Sequence, residues 1–149
     1  MLPTRVNLVR RGVQLGCTLC PLCREDVESA QHMFCTCKVT QKVLDLCEKW
    51  IGRVTVRHES IPIHFQSFHL MDQRKSVNRA WKGMWVAVVT KIWKHKNKVV
   101  FRGGVVDEVE FFCLAQLKSW EWFKHRMSRI ILFYSDWDFA PVKCLQSVK

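Results

Sequence analysis

Five of the eight cysteines in the chain lie within 21 residues, and a histidine lies among them. The six residues are Cys17, Cys20, Cys23, His32, Cys35 and Cys37. The first 16 residues contain three arginines and no continuous apolar stretch, so we expect no signal peptide and an intracellular protein, nuclear or cytoplasmic rather than secreted. Thiols stay reduced inside cells, and a cysteine cluster there favours a metal site over disulfides.

The spacing within the cluster is typical of a zinc site. Cys20 and Cys23 form a CxxC pair, whose two intervening residues let both sulfurs reach one ion from a tight turn. His32 and Cys37 complete the pattern C-x2-C-x8-H-x4-C. Four such ligands match tetrahedral Zn²⁺ with no open position, so the pattern predicts one structural zinc ion and not a catalytic one.

Spacing alone leaves two ligand positions open. On a regular α-helix His32 and Cys35 share a face, whereas His32 and Cys37 are about 140° apart. An unbroken helix therefore favours Cys35 as the fourth ligand, and a break after His32 favours Cys37. Cys17 is an alternative to Cys20, because positions 17, 20 and 23 are evenly spaced.

Several short motifs follow one another along residues 2–52. In order they are Leu2-Pro3-Thr4, Asn7-Leu8, Arg11-Gly12, Cys20 to Cys23, Glu28-Ser29, His32-Met33-Phe34 through Cys37, and Trp50-Ile51-Gly52. This set resembles the reverse-transcriptase zinc-binding domain of plant LINE-type retroelements. The resemblance implies that Cys37 is the fourth ligand and that Cys17 and Cys35 fall where that family is variable. The stretch at 91–101 is similar to a segment further downstream in these elements.

The same resemblance implies an accessory role, not an enzymatic one. The chain starts directly at the Leu2-Pro3-Thr4 motif, and we recognise neither a pair of polymerase aspartates nor a ribonuclease H carboxylate set. No paired nucleophile and base is visible either. We therefore expect a fragment, relic or free-standing copy of a retroelement protein that is not an enzyme and has no small-molecule substrate.

Hydrophobic periodicity predicts a mainly α fold, in which a small zinc-binding loop-helix module precedes two longer amphipathic helices. We expect a zinc-binding domain at 1–52, a connector at 53–71 with a short strand at 53–57, and a helical extension at 72–149. Helices are predicted over 2–12, 28–50, 72–100 and 106–127, and a strand or packed loop after Ser128. No apolar run approaches the ~20 residues of a membrane span, so no membrane partner is expected.

Two helices carry apolar patterns that predict their buried faces. In the 72–100 helix the stripe is Val77, Trp81, Met84, Trp85, Val88 and Ile92. In the 106–127 helix it is Val109, Cys113, Leu117 and Trp120. Helical spacing favours core packing of Trp81 and Trp85 over base stacking. We interpret His58, His64 and His69 as loop residues, and the segment 135–138 as a turn.

A formal net charge of +11 favours a polyanionic partner, most simply RNA or DNA. The predicted phosphate contacts are Arg5, Arg10 and Arg11 beside the zinc loop, with Lys94 and Lys98 one helical turn apart. Two alternatives remain open from the sequence: a zinc-dependent protein-interaction module and a non-functional relic.

Overall fold

The computed structural model describes residues 1–126 and 131–147, and the regular structure in these ranges is helical. The helices are α1 (Arg5–Arg10), a π-helical turn (His32–Thr36), α2 (Lys38–Ile51), α3 (Ile61–Ser67), α4 (Lys75–Arg102), α5 (Glu108–Arg126), α6 (Tyr134–Phe139) and α7 (Pro141–Gln146). The predicted fold class is confirmed: a cysteine-rich loop and helix precede two longer helices. None of the described helices is both long and apolar enough to span a membrane.

Helices α4 and α5 form an antiparallel pair, and many of the core residues belong to them. The ring of His95 meets that of Phe111 at one end of the pair, at a centroid distance of 3.9 Å. At the other end the ring of Trp122 lies against the backbone of Gly83. The predicted stripe of α4 is confirmed, because all six of its residues are buried. Trp81 and Trp85 are therefore core residues.

The predicted buried face of α5 is wrong. Val109, Cys113 and Leu117 are exposed, and Trp120 is half-buried. The buried residues are Phe111, Ala115, Gln116, Ser119 and Phe123. The sequence pattern misleads because two of these are polar side chains whose groups are hydrogen-bonded within the core. The side-chain amide of Gln116 donates to Asp138 Oδ1 at 2.9 Å, and the indole N–H of Trp137 donates to Ser119 Oγ at 3.3 Å.

From residue 134 the C-terminal segment is helical, so the predicted strand or packed loop is wrong there, whereas residues 131–133 form no regular element. Residues 134–139 and 141–146 form α6 and α7, so the turn predicted at 135–138 is also wrong. Trp137 organises this segment, since its ring stacks on Phe123 at 5.2 Å and meets Trp50 edge to face at 5.2 Å. Two positions named in the sequence predictions, 127 and 128, lie outside the described residues.

The connector contains a helix instead of the predicted strand. Residues 53–57 belong to no regular element and pair with no strand in the part of the chain that the structure describes. Side chains fasten this segment to α2 instead. Arg57 donates to Asp45 Oδ1 at 2.7 Å and to Glu48 Oε2 at 2.8 Å. Helix α3 follows, and His64 in it is fully buried beneath Trp85, contrary to the predicted loop position.

Helix ends follow local signals more closely than the apolar pattern. Thr4 accepts a hydrogen bond from the Asn7 N–H at 3.3 Å and so begins α1 later than position 2. Gly12 has φ +83°, a left-handed conformation that glycine adopts readily just beyond a helix. Helix α4 likewise ends before Gly103, which has φ +65°. The division of the chain at 52 and 71 stays a prediction.

We expect Trp137→Ala to lower the free energy of unfolding by about 3–5 kcal/mol, because it empties a ring-sized volume between α2 and α5. Phe139→Ala in the same helix is the matched control. Its side chain is 91% exposed, so the change is expected to stay within about 0.5 kcal/mol. Urea denaturation measures both. Equal effects of the two substitutions would contradict the packing described for α6.

Candidate metal centre

The loop over 17–28 forms a narrow turn that presents two cysteines on one side. The Cys20 N–H donates to the Asp26 carbonyl at 2.6 Å, and the Arg24 N–H donates to the Cys20 carbonyl at 2.8 Å. Arg24 adopts φ +60°, which reverses the chain directly after Cys23. The CxxC pair therefore projects from a hydrogen-bonded turn.

His32 and Cys37 are brought to the same side by the π-helical turn. Ser29 Oγ accepts from the His32 N–H at 3.0 Å, which starts the helical segment. The Cys37 N–H then donates to the His32 carbonyl at 2.7 Å, an i to i+5 bond. A turn closed over five residues carries residue i+5 to nearly the position that i+4 has in an α-helix. Cys37 itself is extended, with ψ 128°, and ends the turn.

Cys20, Cys23, His32 and Cys37 converge on one point. Their ligand atoms all lie within 4.8 Å of one another. Cys23 Sγ is 3.3 Å from His32 Nε2, close to the separation of about 3.5 Å between sulfur and nitrogen ligands of tetrahedral zinc. Cys20 and Cys37 are fully buried, and Cys23 and His32 are each 8% exposed. The donor set and spacing fit one metal ion held by four protein ligands.

The electrostatics of the cluster favour a thiolate at the start of α2. The Cys20 thiol hydrogen-bonds to Cys37, which lowers the pKa of Cys37, and the backbone amides of Thr40 and Val39 lower it further. The same hydrogen bond, together with burial, raises the pKa of Cys20. Burial lowers the pKa of His32 and so favours the neutral imidazole that metals bind. A bound cation would take the place of the proton that the two sulfurs share.

The His32 ring is oriented by a contact behind the cluster. Its Nδ1 lies 3.1 Å from Thr36 Oγ1, while its Nε2 faces Cys23. Residues 32 and 36 lie in the same π-helical turn, so the turn supplies both the ligand and its support. A hydrogen bond at one ring nitrogen fixes the ring orientation and leaves the other nitrogen as the metal ligand. Sequence reasoning missed Thr36.

The two competing cysteines lie outside the group. Cys35 is buried, and burial raises its pKa to about 11, as expected for an apolar packing residue. Cys17 is exposed. In the described ranges the only cluster of this kind is the one formed by Cys20, Cys23, His32 and Cys37. These are the four residues predicted from the sequence and the family resemblance; that they bind zinc stays a prediction.

A buried ion triad joins the metal loop to α4. Glu28 is 1% exposed; its Oε2 lies 3.5 Å from Arg5 Nε and its Oε1 3.2 Å from Lys96 Nζ. Arg5 also donates to the Leu19 carbonyl at 2.9 Å. Two cations that the sequence assigns to basic clusters are thus directed inward, toward one carboxylate.

The remaining predicted contacts with nucleic acid lie on the surface. Arg10 and Arg11 are exposed at the end of α1, and Lys94 and Lys98 are exposed on α4. No ion pair with any of the four is present among residues 1–126 and 131–147.

The comparison with protein families agrees with this site. Residues 1–43 match a family described as zinc-binding in reverse transcriptase. The match includes all four members of the cluster and ends inside α2. It supports a reverse-transcriptase zinc-binding domain in this part of the chain, an accessory domain and not the catalytic one. Neither the curated proteins nor the solved structures gave a significant match.

Replacing the fourth ligand tests the cluster directly. We expect Cys37→Ser to abolish tight zinc binding, because it removes one of four ligands and the thiolate at the start of α2. Cys35→Ser is the matched control, two residues away and equally buried, and should keep the metal. Zinc release measured with a colorimetric chelator distinguishes the two variants. If the Cys37→Ser variant kept its zinc and the Cys35→Ser variant lost it, the ligand assignment would be wrong.

The contact between Thr36 and the His32 ring is tested by a substitution of Thr36. Thr36→Val keeps the shape of the side chain but removes the oxygen near His32 Nδ1. We expect zinc affinity to fall by roughly 10-fold or more, the usual effect of losing an outer partner of a ligating histidine. Competition titration against a chelator of known affinity gives the value. Unchanged affinity would mean that the Thr36 contact does not support the ligand.

Proposed function

We propose that this chain is a zinc-stabilised accessory module derived from the reverse transcriptase protein of a plant LINE-type retroelement. In this proposal it binds nucleic acid with little sequence preference and catalyses no reaction. The zinc ion is structural, since four protein ligands leave no position for a substrate. The observation that carries the proposal is the charge of α4, which packs beside the metal loop.

Helix α4 has eight basic side chains and no acidic one over 28 residues. They are Lys75, Arg79, Lys82, Lys91, Lys94, Lys96, Lys98 and Arg102. A helix that needed only solubility would mix both signs along its exposed face. Lys96 is paired with Glu28, but Lys94 and Lys98 project to solvent. A one-sign surface of this kind attracts a polyanion.

Helix α1 extends this surface around the metal loop. A groove between α1 and the end of α4 is lined by Leu8 on one side and by Val100 and Phe101 on the other. The exposed Arg10 and Arg11 lie two and three residues after Leu8. Their planar guanidinium groups suit phosphate oxygens.

The net charge supports association that depends on phosphates and not on bases. Three thiolates and one Zn²⁺ would leave a formal charge of about +10. Lysines and arginines that neutralise phosphates release counterions, which drives binding to any sequence and weakens it as salt rises. Contacts of this kind position a nucleic acid but do not identify its bases.

A second candidate function is protein interaction through the segment at 53–57. Val54 is 84% exposed and Val56 63% exposed, while Thr55 between them donates hydrogen bonds from its backbone N–H and its hydroxyl to Glu48 in α2. Exposed apolar side chains on such a connecting segment suit contact with a partner protein. We place nucleic acid first, because α4 carries eight basic side chains and no acidic one, whereas this segment offers two exposed valines.

Removing the arginines at the end of α1 tests the proposal. We expect Arg10→Ala with Arg11→Ala to weaken binding to every oligonucleotide alike and to flatten the slope of log affinity against log salt by about 1 to 2. Fluorescence anisotropy over a salt series measures both quantities.

The control removes the same charge elsewhere. Lys49→Ala with Arg53→Ala changes two exposed residues at the far end of α2, about 18 Å along the helix axis from Cys37. This pair should change the slope by much less. A slope near zero for the unmodified protein, or equal slopes for the two double variants, would favour the protein-interaction function.

A further inference from the structure

A pocket of about 260 Å³ lies where α3, α4 and α5 meet, and neither the metal centre nor the core accounts for it. Its apolar wall consists of Phe65 and Trp122 with Val86 and Ala87. The ring of Trp122 lies so close to Gly83 that a Cβ at that position would stand 2.7 Å from it. The glycine therefore lets the indole form a wall of the pocket.

Three cations surround this apolar pocket. Arg79 and Lys82 line it from α4, and Lys118 lines it from α5, whereas no carboxylate is among its lining residues. Glu121 pairs with Lys118 at 3.1 Å outside the lining. A ligand that complements this arrangement has a flat or apolar group for the pocket and negative charges on its two sides.

The pocket is continuous with the proposed binding surface of α4. Residues 79, 83, 86, 90 and 94 follow one another at helical spacing, so Arg79, the pocket and Lys94 share one face of the helix. Arg79 and Lys94 are about 22 Å apart along the axis. A phosphate chain that contacts Lys94 and Lys98 therefore reaches the pocket by following the same helix face.

We propose that this pocket receives an unpaired base of a single-stranded nucleic acid, stacked against Trp122, with the flanking phosphates on Arg79, Lys82 and Lys118. The inference rests on the proposed function and specifies its substrate class as single strands. Nucleic-acid grooves that accept any sequence combine cations along the backbone with aromatic rings on which bases stack. The scarcity of polar atoms in the wall fits stacking without recognition of base edges.

Both aromatic rings of the pocket, which are half-buried, have a cation beside them. Lys82 Nζ lies 5.1 Å from the centre of the Phe65 ring, and the Arg126 guanidinium lies 4.9 Å from that of Trp122. Such pairs are weak at exposed sites, so a base can displace the guanidinium from the indole. The displaced arginine then becomes a further phosphate contact.

The test separates the contribution of bases from that of phosphates. The probes are an oligothymidine of about 12 nucleotides, within the usual site sizes, and an abasic deoxyribose-phosphate chain of the same length. We expect the full, zinc-loaded protein to bind the oligothymidine about tenfold more tightly than the abasic chain, and also more tightly than a duplex of equal charge. Trp122→Leu should bring the ratio close to one and leave the salt slope unchanged, whereas Trp122→Phe should keep most of the preference.

Trp120→Leu is the matched control. Trp120 lies in the same helix and is half-buried like Trp122, but it does not line the pocket. It should keep the tenfold ratio. Zinc content and helical circular dichroism verify that each variant folds. If Trp122→Leu fails this check, Val86→Met replaces it. This change extends a longer aliphatic side chain over the pocket from an exposed position without adding a ring, and it should also lower the ratio.

The outcomes separate this inference from the function on which it rests. Equal affinity of the unmodified protein for both probes, with a steep salt slope, would overturn the stacking site but keep nucleic-acid binding. No salt-dependent binding to either probe would overturn both. Stoichiometric binding of dodecanoate that Trp122→Leu abolishes, without any preference for bases, would show that the pocket takes an amphipathic carboxylate and would also overturn the stacking site.

Discussion

The convergence of Cys20, Cys23, His32 and Cys37 on one point is the constraint on which the N-terminal part of the structure depends. Residues 1–31 bury few side chains, and apart from Pro21, Leu22 and the two cysteines these are Thr4 and Glu28. So little apolar burial cannot offset the conformational entropy of ordering some 30 residues. A closed metal site can, because its binding free energy is folding free energy for a short loop. The Glu28 triad then attaches this ordered loop to α4.

Much of this site could be predicted from the sequence, because ligand spacing and a helical stripe are local patterns. The CxxC pair and the stripe of α4 follow directly from residue order. The choice between Cys35 and Cys37 could not be made from an ideal helix, since it depends on a π-helical turn that no propensity indicates. The prediction of the buried face of α5 was wrong for another reason. The polar side chains of Gln116 and Ser119 are buried because they hydrogen-bond to residues of α6, about 20 positions further along the chain. Sequence periodicity contains no information about such a partner.

The basic residues of the chain have two different positions, buried at an ion pair or exposed on the surface, and composition alone does not distinguish them. Arg5 and Lys96 point inward to Glu28, where they join the metal loop to the helical body. Arg10, Arg11, Lys94 and Lys98 point outward on either side of the same junction. When the loop is ordered, the arginine pair of α1 and the lysine pair of α4 are therefore held in fixed positions relative to each other. In the function proposed above, the metal would therefore act through the fold and would not contact the phosphates.

Metal content together with amide hydrogen exchange shows whether a metal ion orders the N-terminal part. We expect one zinc per purified chain. We also expect chelation to remove exchange protection over residues 17–40 before the α4–α5 pair loses its own protection. A folded protein without stoichiometric zinc, or protection over 17–40 that survives complete removal of the metal, would contradict these expectations.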